Sequence, residues 1–238
     1  MIECGTPQEL ADFVAGRLAE LADPARAPQM AAYMRTSHPF HGVAKPHVNR
    51  LAREALKLFP CANLKTYRQN VLALWSLPHR EERYAAIIYA TQTDFITMQS
   101  LPLYEQMIRQ GAWWDLVDEP ACYLIGGILA CDRRRMETVL DRWVLDPDLW
   151  IRRTTLLAQL RHKESTNQEQ LFRYCLQLAG EREFFIRKAI GWALREYSKT
   201  APEAVAKFLK EHRAMLSGLS FREGSKHLER QRALRRVS

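Results

Sequence analysis

The sequence contains no long hydrophobic run. Its longest apolar stretch, Ala121 to Cys131, lies between Pro120 and Asp132 and is far shorter than the roughly 20 residues that a membrane-spanning helix requires. The first nine residues, Met-Ile-Glu-Cys-Gly-Thr-Pro-Gln-Glu, carry acids where a secretory signal peptide carries cations. We therefore expect a cytoplasmic protein without a membrane partner.

Cysteine is scarce, and its spacing matches no known cysteine framework. The five cysteines are an odd number and include no Cys-x-x-Cys pair. This pattern indicates neither a disulfide framework nor a zinc site. We expect reduced thiols, mostly in helix interiors, and no metal.

Acidic residues are outnumbered by basic ones. The chain has 35 Lys and Arg against 27 Asp and Glu, a formal net charge of +8 and a pI near 9.4. Its apolar fraction of 47% and charged fraction of 26% are ordinary for a folded domain. A basic folded domain has phosphate backbones or anionic membranes as natural partners, and charge alone does not distinguish them.

The alternation of apolar and polar residues that is typical of β-strands is also missing. Helical periodicity runs through most of the chain, interrupted by Pro, Gly, Asp or Asn. It predicts a single all-α domain over 1–238, with an irregular stretch at Ser37 to Pro46 and a basic tail at 229–238. The predicted helices cover 8–22, 28–36, 46–59, 65–76, 80–92, 97–110, 113–131, 135–144, 148–162, 167–179, 183–198, 202–212 and 221–235.

One segment of the chain is repeated. Asp148 to Arg161 recurs 35 residues later as Glu183 to Glu196, with an acid, an aromatic, an isoleucine and a basic pair retained at matching positions. Recurrence at a fixed spacing of this size is the signature of stacked helical hairpins. We therefore expect a curved, right-handed or twisted array with a concave side.

The second copy of the repeat predicts a helix with two different faces. One side is the expected core face, with Ile186, Ile190, Ala193 and Tyr197. The opposite side combines cations with an aromatic ring, in Lys188, Trp192, Arg195 and Lys199. Such a face either grips a polyanion or consists of solvated cations around a packed tryptophan, as on many surface helices.

A third segment, Gly111 to Asp118, lies about one period before the first copy. Trp114 and Asp118 are four residues apart and share a helix face. Aligning Trp114 with Trp150 places Asp118 near the level of Arg153 and Thr154. The carboxylate then either forms a structural ion pair with Arg153 or faces positive charge that develops in a sugar during cleavage of a glycosidic bond.

Three ordered segments resemble the DNA alkylation repair family of HEAT-like-repeat glycosylases, the AlkD type. They are Trp113 to Asp118, Leu149 to Arg153 and Phe184 to Tyr197. The similarity continues upstream in Met30 to Met34 with Pro39 to Val43, and downstream at Leu219-Ser220 with Arg222-Glu223. It implies a right-handed superhelix of HEAT-like repeats with a concave basic groove.

The resemblance also implies an activity, which is the excision of N3- and N7-alkylated purines from duplex DNA by a monomer without a metal or organic cofactor. The lesion is expected to stay stacked, with no base flipping. The catalytic group implied by the matching positions is Asp118, with Trp114 and Trp192 beside the lesion and Arg153 as a phosphate anchor. Further contacts to DNA are expected from Tyr33, Arg161, Lys188 and Arg195.

The chemistry is consistent with one carboxylate. An alkylated purine is already cationic and leaves as a neutral base, so it needs no general acid, whereas an O-glycosidase needs two carboxyl groups. The alternative is a noncatalytic HEAT-like module that binds DNA or a protein through the same basic face. A purely protein-binding solenoid would explain the helices but not a carboxylate within a cationic, tryptophan-bearing face.

Overall fold

A computed structural model describes residues 5–235, and this part of the chain contains helices but no β-strand. None of its helices combines the length and the hydropathy that crossing a bilayer requires. The prediction of an all-α chain is confirmed. The α-helices are α1 Pro7–Glu20, α2 Ala27–Met34, α3 Lys45–Leu58, α4 Leu64–Trp75, α5 Arg80–Tyr89, α6 Leu101–Gly111, α7 Trp114–Glu119, α8 Gly126–Cys131, α9 Arg133–Trp143, α10 Leu149–Leu157, α11 Gln168–Gln177, α12 Phe184–Tyr197, α13 Pro202–Glu211 and α14 Gly218–Arg235.

Local sequence explains where many helices begin. The Thr6 hydroxyl and the Glu9 carboxylate form a reciprocal capping box at the start of α1. Side-chain oxygens of Asn63, Asp132 and Asp148 accept backbone N–H groups at the starts of α4, α9 and α10. These caps satisfy donors that the first helical turn leaves without a partner.

The fold divides into two compact units, the first ending at Ile96 and the second beginning at Thr97. The single continuous domain expected from sequence stays a prediction. In the first unit, α3 packs against α5 and α1 against α4. The irregular stretch predicted at Ser37 to Pro46 is present between α2 and α3 over residues 35–44, whereas Lys45 and Pro46 already belong to α3.

The two copies of the sequence repeat form equivalent helices in the second unit. Helices α10 and α12 pack against each other, and equivalent arginines in the two copies make the same local bond. Arg152 donates to the carbonyl oxygen of Asp146, at 2.7 Å, and Arg187 donates to that of Glu181, at 2.8 Å. Each guanidinium therefore binds a carbonyl oxygen six residues earlier, in the loop that precedes its helix. This bond holds the loop against the first turn of the helix.

The segment predicted as one helix over 113–131 is continuous but not uniform. Between α7 and α8 the residues Pro120–Ile125 form a π-helical turn. Proline has no backbone N–H to donate to the carbonyl of Leu116, so the regular i to i−4 series is interrupted there. The wider turn begins two residues after Asp118.

The chain end packs onto the repeat. Gly191 of α12 faces Ser220 and Glu223 of α14, and a Cβ added to this glycine would overlap Glu223 and lie 2.9 Å from the Ser220 carbonyl oxygen. Helix α14 starts three residues before the predicted boundary and continues to Arg235. Most of the predicted basic tail is thus helical backbone, and residues 236–238 lie outside the described part.

Candidate functional site

Helix starts in the second unit correct the alignment made from sequence. Helices α7, α10 and α12 begin at Trp114, Leu149 and Phe184, at a constant spacing of 35 residues. Trp114 is therefore equivalent to Leu149 and not to Trp150, because the sequence alignment was one residue out of step. The corrected register places Asp118 level with Arg153.

Asp118 and Trp114 share one face of α7. The preceding turn contains Ala112 in the left-handed region, at φ 39°, and an extended Trp113 at the N-cap. This turn starts α7 at Trp114, which is 36% exposed. One helical turn later, the Asp118 side chain is 13% exposed, so its carboxylate is mostly buried but still reaches the surface.

The Asp118 carboxylate and the Arg153 guanidinium form a bidentate ion pair. Arg153 Nε donates to Oδ1 at 2.7 Å, and Nη2 donates to Oδ2 at 2.8 Å. The remaining terminal nitrogen, Nη1, donates to the carbonyl oxygen of Phe185. Of the two roles considered for Asp118, the ion pair is therefore present. The Arg153 side chain is 4% exposed, and its role as a phosphate anchor stays a prediction.

Burial raises the pKa of Asp118 above its ordinary value. The hydrogen bonds and charge of Arg153 act in the opposite direction, whereas the nearby Asp115 and Glu119 carboxylates add to the rise. Each Asp118 oxygen accepts one N–H from Arg153, and an ionised carboxylate offers about four acceptor positions. The outer acceptor positions of the carboxylate therefore remain for a group that approaches from the surface.

An aromatic cluster lies behind this ion pair. The rings of Trp113, Trp150 and Phe185 pack in mutual contact, with centroid distances of 5.0 to 5.9 Å. Trp150 is 7% exposed. The aromatic residue retained in the sequence repeat is therefore a packing residue, and it supports the Phe185 carbonyl that holds Arg153.

The cations predicted on the face of α12 are organised by a carboxylate that the sequence reasoning did not assign. Lys188 Nζ lies 2.9 Å from Glu223 Oε1, and Arg195 Nη1 lies 2.9 Å from Glu223 Oε2. Lys226 also donates to Glu223. Burial of the Glu223 carboxyl acts to raise its pKa, but the bonds from Lys226 and Lys188 lower it to about 2.

The sequence contained a signal for Glu223. Asp118, Arg153, Lys188 and Glu223 are spaced 35 residues apart, and the structure pairs the first with the second and the third with the fourth. Extending the period by one more unit would have placed an acid beside the predicted cations. These four residues thus form two ion pairs and do not act as four independent charges.

The other predicted site residues differ in their surroundings. Trp192 is partly buried on α12, on the face that carries Lys188 and Arg195. Arg161 is exposed, with its guanidinium 4.2 Å from the ring centroid of Tyr123 and a 2.8 Å bond to the Tyr123 hydroxyl. Tyr33 belongs to the first unit and is 78% exposed.

Tyr123 was not predicted as a site residue, although it follows Asp118 by five positions and is 43% exposed. Between them lies Cys122, whose pKa is raised to about 12 by burial, with a further contribution from the Asp118 charge. A thiol with this pKa is protonated near neutral pH and is a poor nucleophile. Asp118 is therefore the stronger candidate for direct chemistry on this helix.

The family model of the DNA alkylation repair enzymes matches residues 14–228. The chain therefore belongs to the DNA alkylation repair enzyme family, which confirms the resemblance seen in the sequence.

Solved structures that are similar to the chain include the following two. One is described as a predicted DNA alkylation repair enzyme from Enterococcus faecalis, at 34% identity and a TM-score of 0.78 over 87% of this chain and 96% of that chain. The other is smu.31 of Streptococcus mutans UA159, at 16% identity and a TM-score of 0.60 over 91% of this chain and 98% of that chain, which supports the fold alone. A comparison with curated proteins gives no match.

Proposed function

We propose that the protein is a DNA glycosylase that hydrolyses the N-glycosidic bond of N3- and N7-alkylated purines in duplex DNA. The observation that carries this proposal is the arrangement around Asp118. A mostly buried carboxylate is held by Arg153 in a fixed orientation, one helical turn from the exposed Trp114 indole, in a member of a DNA alkylation repair family.

The Asp118 carboxylate is assigned to the sugar. As the alkylated base departs with the electron pair of the glycosidic bond, positive charge develops on the deoxyribose, and water adds to the anomeric carbon. A preoriented carboxylate stabilises this charge without reorganising, and it can accept the proton of the attacking water. Arg153 acts as a positioning residue because its two N–H bonds hold both carboxylate oxygens.

The tryptophans are assigned to the lesion. Faces of the Trp114 and Trp192 rings attract a cationic base and a cationic sugar. The exposed position of Trp114 is consistent with contact from the surface to a base that remains stacked, and binding without a base pocket would tolerate bulky adducts. The net charge of +8 favours the DNA backbone, with Tyr33, Arg161, Lys188, Arg195 and Arg153 as proposed contacts.

The decisive assay uses duplex DNA that carries a single N7-methylguanine. Under single-turnover conditions the intact chain should release the free base and leave an abasic site. Asp118→Asn should slow the release by about 10²- to 10³-fold, the range found when one electrostatic stabiliser is removed, while duplex affinity changes little. Asp115→Asn is the matched control, because it removes the same charge from the same helix.

The outcomes separate the candidate functions. Tight binding by the intact chain without base release would favour the noncatalytic module over the enzyme. Equal rates for Asp118→Asn and the intact chain would remove the carboxylate from the mechanism. Release with the base still stacked can be followed with a fluorescent base analogue opposite the lesion, whose emission rises if the lesion is extruded.

A further inference from the structure

Three metal-binding side chains converge in the first unit, and none of them is among the residues assigned to DNA chemistry. They are His41, which precedes α3, and His79 and Glu82, which start α5. His41 Nε2 lies 3.0 Å from Glu82 Oε1, and His79 Nδ1 lies 3.4 Å from the same oxygen. One ligand atom from each of the three residues falls within 4.8 Å of the others.

These separations match the spacing of ligands around a small divalent ion. Zinc binds imidazole nitrogen and carboxylate oxygen at about 2.0 to 2.2 Å, which places neighbouring ligands of a tetrahedron roughly 3.3 Å apart. The Glu82 side chain is 1% exposed, and burial of its carboxylate is costly unless a cation or hydrogen-bond donors compensate the negative charge. His79 Nδ1 is buried and lies 3.4 Å from this carboxylate.

The backbone around the cluster is held by a second buried acid. Glu81 accepts N–H groups from His41, Gly42 and Val43 at 2.9 to 3.0 Å, which fixes the segment that carries His41. Gly42 has φ +86° and no room for a Cβ against the Asp23 carbonyl oxygen. The position of the first histidine is therefore set by the fold.

The glutamate is oriented in the same way. Its other oxygen, Glu82 Oε2, accepts the backbone N–H of His79 at 2.7 Å, so the capping interaction of α5 leaves Oε1 directed towards the two imidazoles. Orientation of a ligand carboxylate by a further hydrogen bond is typical of protein metal sites. The backbone that carries His41 and the carboxylate of Glu82 are thus held by contacts that do not depend on an ion.

We propose that His41, His79 and Glu82 form a binding site for a single divalent transition metal ion, with zinc as the preferred occupant. The imidazoles, now stacked at 3.7 Å between centroids, would separate as both nitrogens turn towards the ion. The fourth position is left to water. The bound ion would join the segment before α3 to the start of α5 and stabilise the first unit.

The cysteine pattern carries no signal for this site because its ligands are histidine and glutamate, and His41 lies far from the other two in the chain. The alternative is a histidine–glutamate ion pair that binds no metal. The two differ in one property, which is saturable binding of a metal ion.

The test is a titration of chelator-treated full-length protein with Co²⁺, followed by its visible absorption, with Zn²⁺ as competitor. We expect one equivalent to bind and to be displaced by Zn²⁺. His79→Asn should weaken Co²⁺ binding at least tenfold, because it removes one of the three proposed ligands. The His79 side chain is 30% exposed, so this replacement should have little effect on folding. His47→Asn, on the exposed side of α3, is the matched control.

Two further readouts make the result independent of that variant. Co²⁺ should shift the proton resonances of two histidines in the intact protein, and Zn²⁺ should raise its melting temperature. Absence of saturable Co²⁺ binding, or binding that His41→Asn and His79→Asn leave unchanged, would overturn the proposal. The proposal stands apart from the glycosylase assignment, since neither measurement uses DNA.

Discussion

Replacing Arg153 with methionine should lower the free energy of unfolding of the second unit by about 3 to 5 kcal/mol, the cost of removing one partner of a buried ion pair. Methionine retains an unbranched apolar stem beside Phe185 but no donor. The Asp118 carboxylate, whose side chain is 13% exposed, would lose both of its bonds to Arg153 and its countercharge. Water reaches only its outer edge, so relaxation recovers a small part of this loss.

The converse change has a similar expected cost. Asp118→Leu leaves a guanidinium whose side chain is 4% exposed with only the Phe185 carbonyl as a described acceptor. When both residues are replaced, no charge is left uncompensated, and an apolar pair of similar volume is often neutral or stabilising. The double variant should therefore lose less than the sum of the single variants, by at least about 3 kcal/mol.

The assay is urea denaturation at pH 7 followed by tryptophan fluorescence. Five of the six tryptophans lie at or after Trp113, so the signal reports mainly on the second unit. Additivity of the two single changes within about 0.5 kcal/mol would refute the reasoning. Base release measured on the same proteins separates folding from chemistry, because the double variant should be folded but inactive.

Three other predictions follow from the same contacts. Because burial raises the pKa of Asp118 and the carboxylate is the active form, the rate of base release should fall as the pH decreases, with a midpoint above the ordinary aspartate pKa of about 3.9. Arg153→Gln should move this midpoint to higher pH. A midpoint at or below about 3.9 would contradict the assignment. Glu223→Gln frees Lys188 for phosphate, so the dependence of duplex affinity on salt should steepen by about one unit of log K per log [salt], and a shallower slope would indicate that Glu223 instead holds the cations in place for DNA. Gly191→Ala should lower the free energy of unfolding by about 1 to 3 kcal/mol, measured by urea denaturation against Gly180→Ala, whose added Cβ meets nothing.

The sequence predicted most of the helices because their signals are local. Pro, Asn and Asp at the helix starts and the 3.6-residue periodicity act over a few residues, and the buried side of α12 contains Ile186, Ile190 and Ala193 as expected. The repeat period also specified which positions are equivalent, once the alignment is set by helix starts. The π-helical turn at Pro120–Ile125 was missed because a proline indicates an interruption without specifying its form.

The ion-pair partners of the charged residues were harder to predict from the sequence. Lys188 and Arg195 were expected to face solvent or DNA, but α14 brings Glu223 between them. The spacing of 35 residues makes Glu223 equivalent to Lys188 in the repeat, but it does not specify which neighbouring side chain Glu223 contacts. In the first unit, three backbone amides and the His41 ring meet at Glu81 and Glu82, which lie 38 to 41 residues later in the chain, and no periodicity connects them.

The all-α architecture, the repeat and the residues able to carry chemistry can be predicted from the amino-acid sequence, because helix formation depends on neighbours a few residues apart. The contacts between those residues depend on how the helices pack. The tertiary structure paired Asp118 with Arg153, turned the repeated aromatics inward and gathered His41, His79 and Glu82. Ion pairing and burial depend on distances between helices, and those distances arise only when the helices pack.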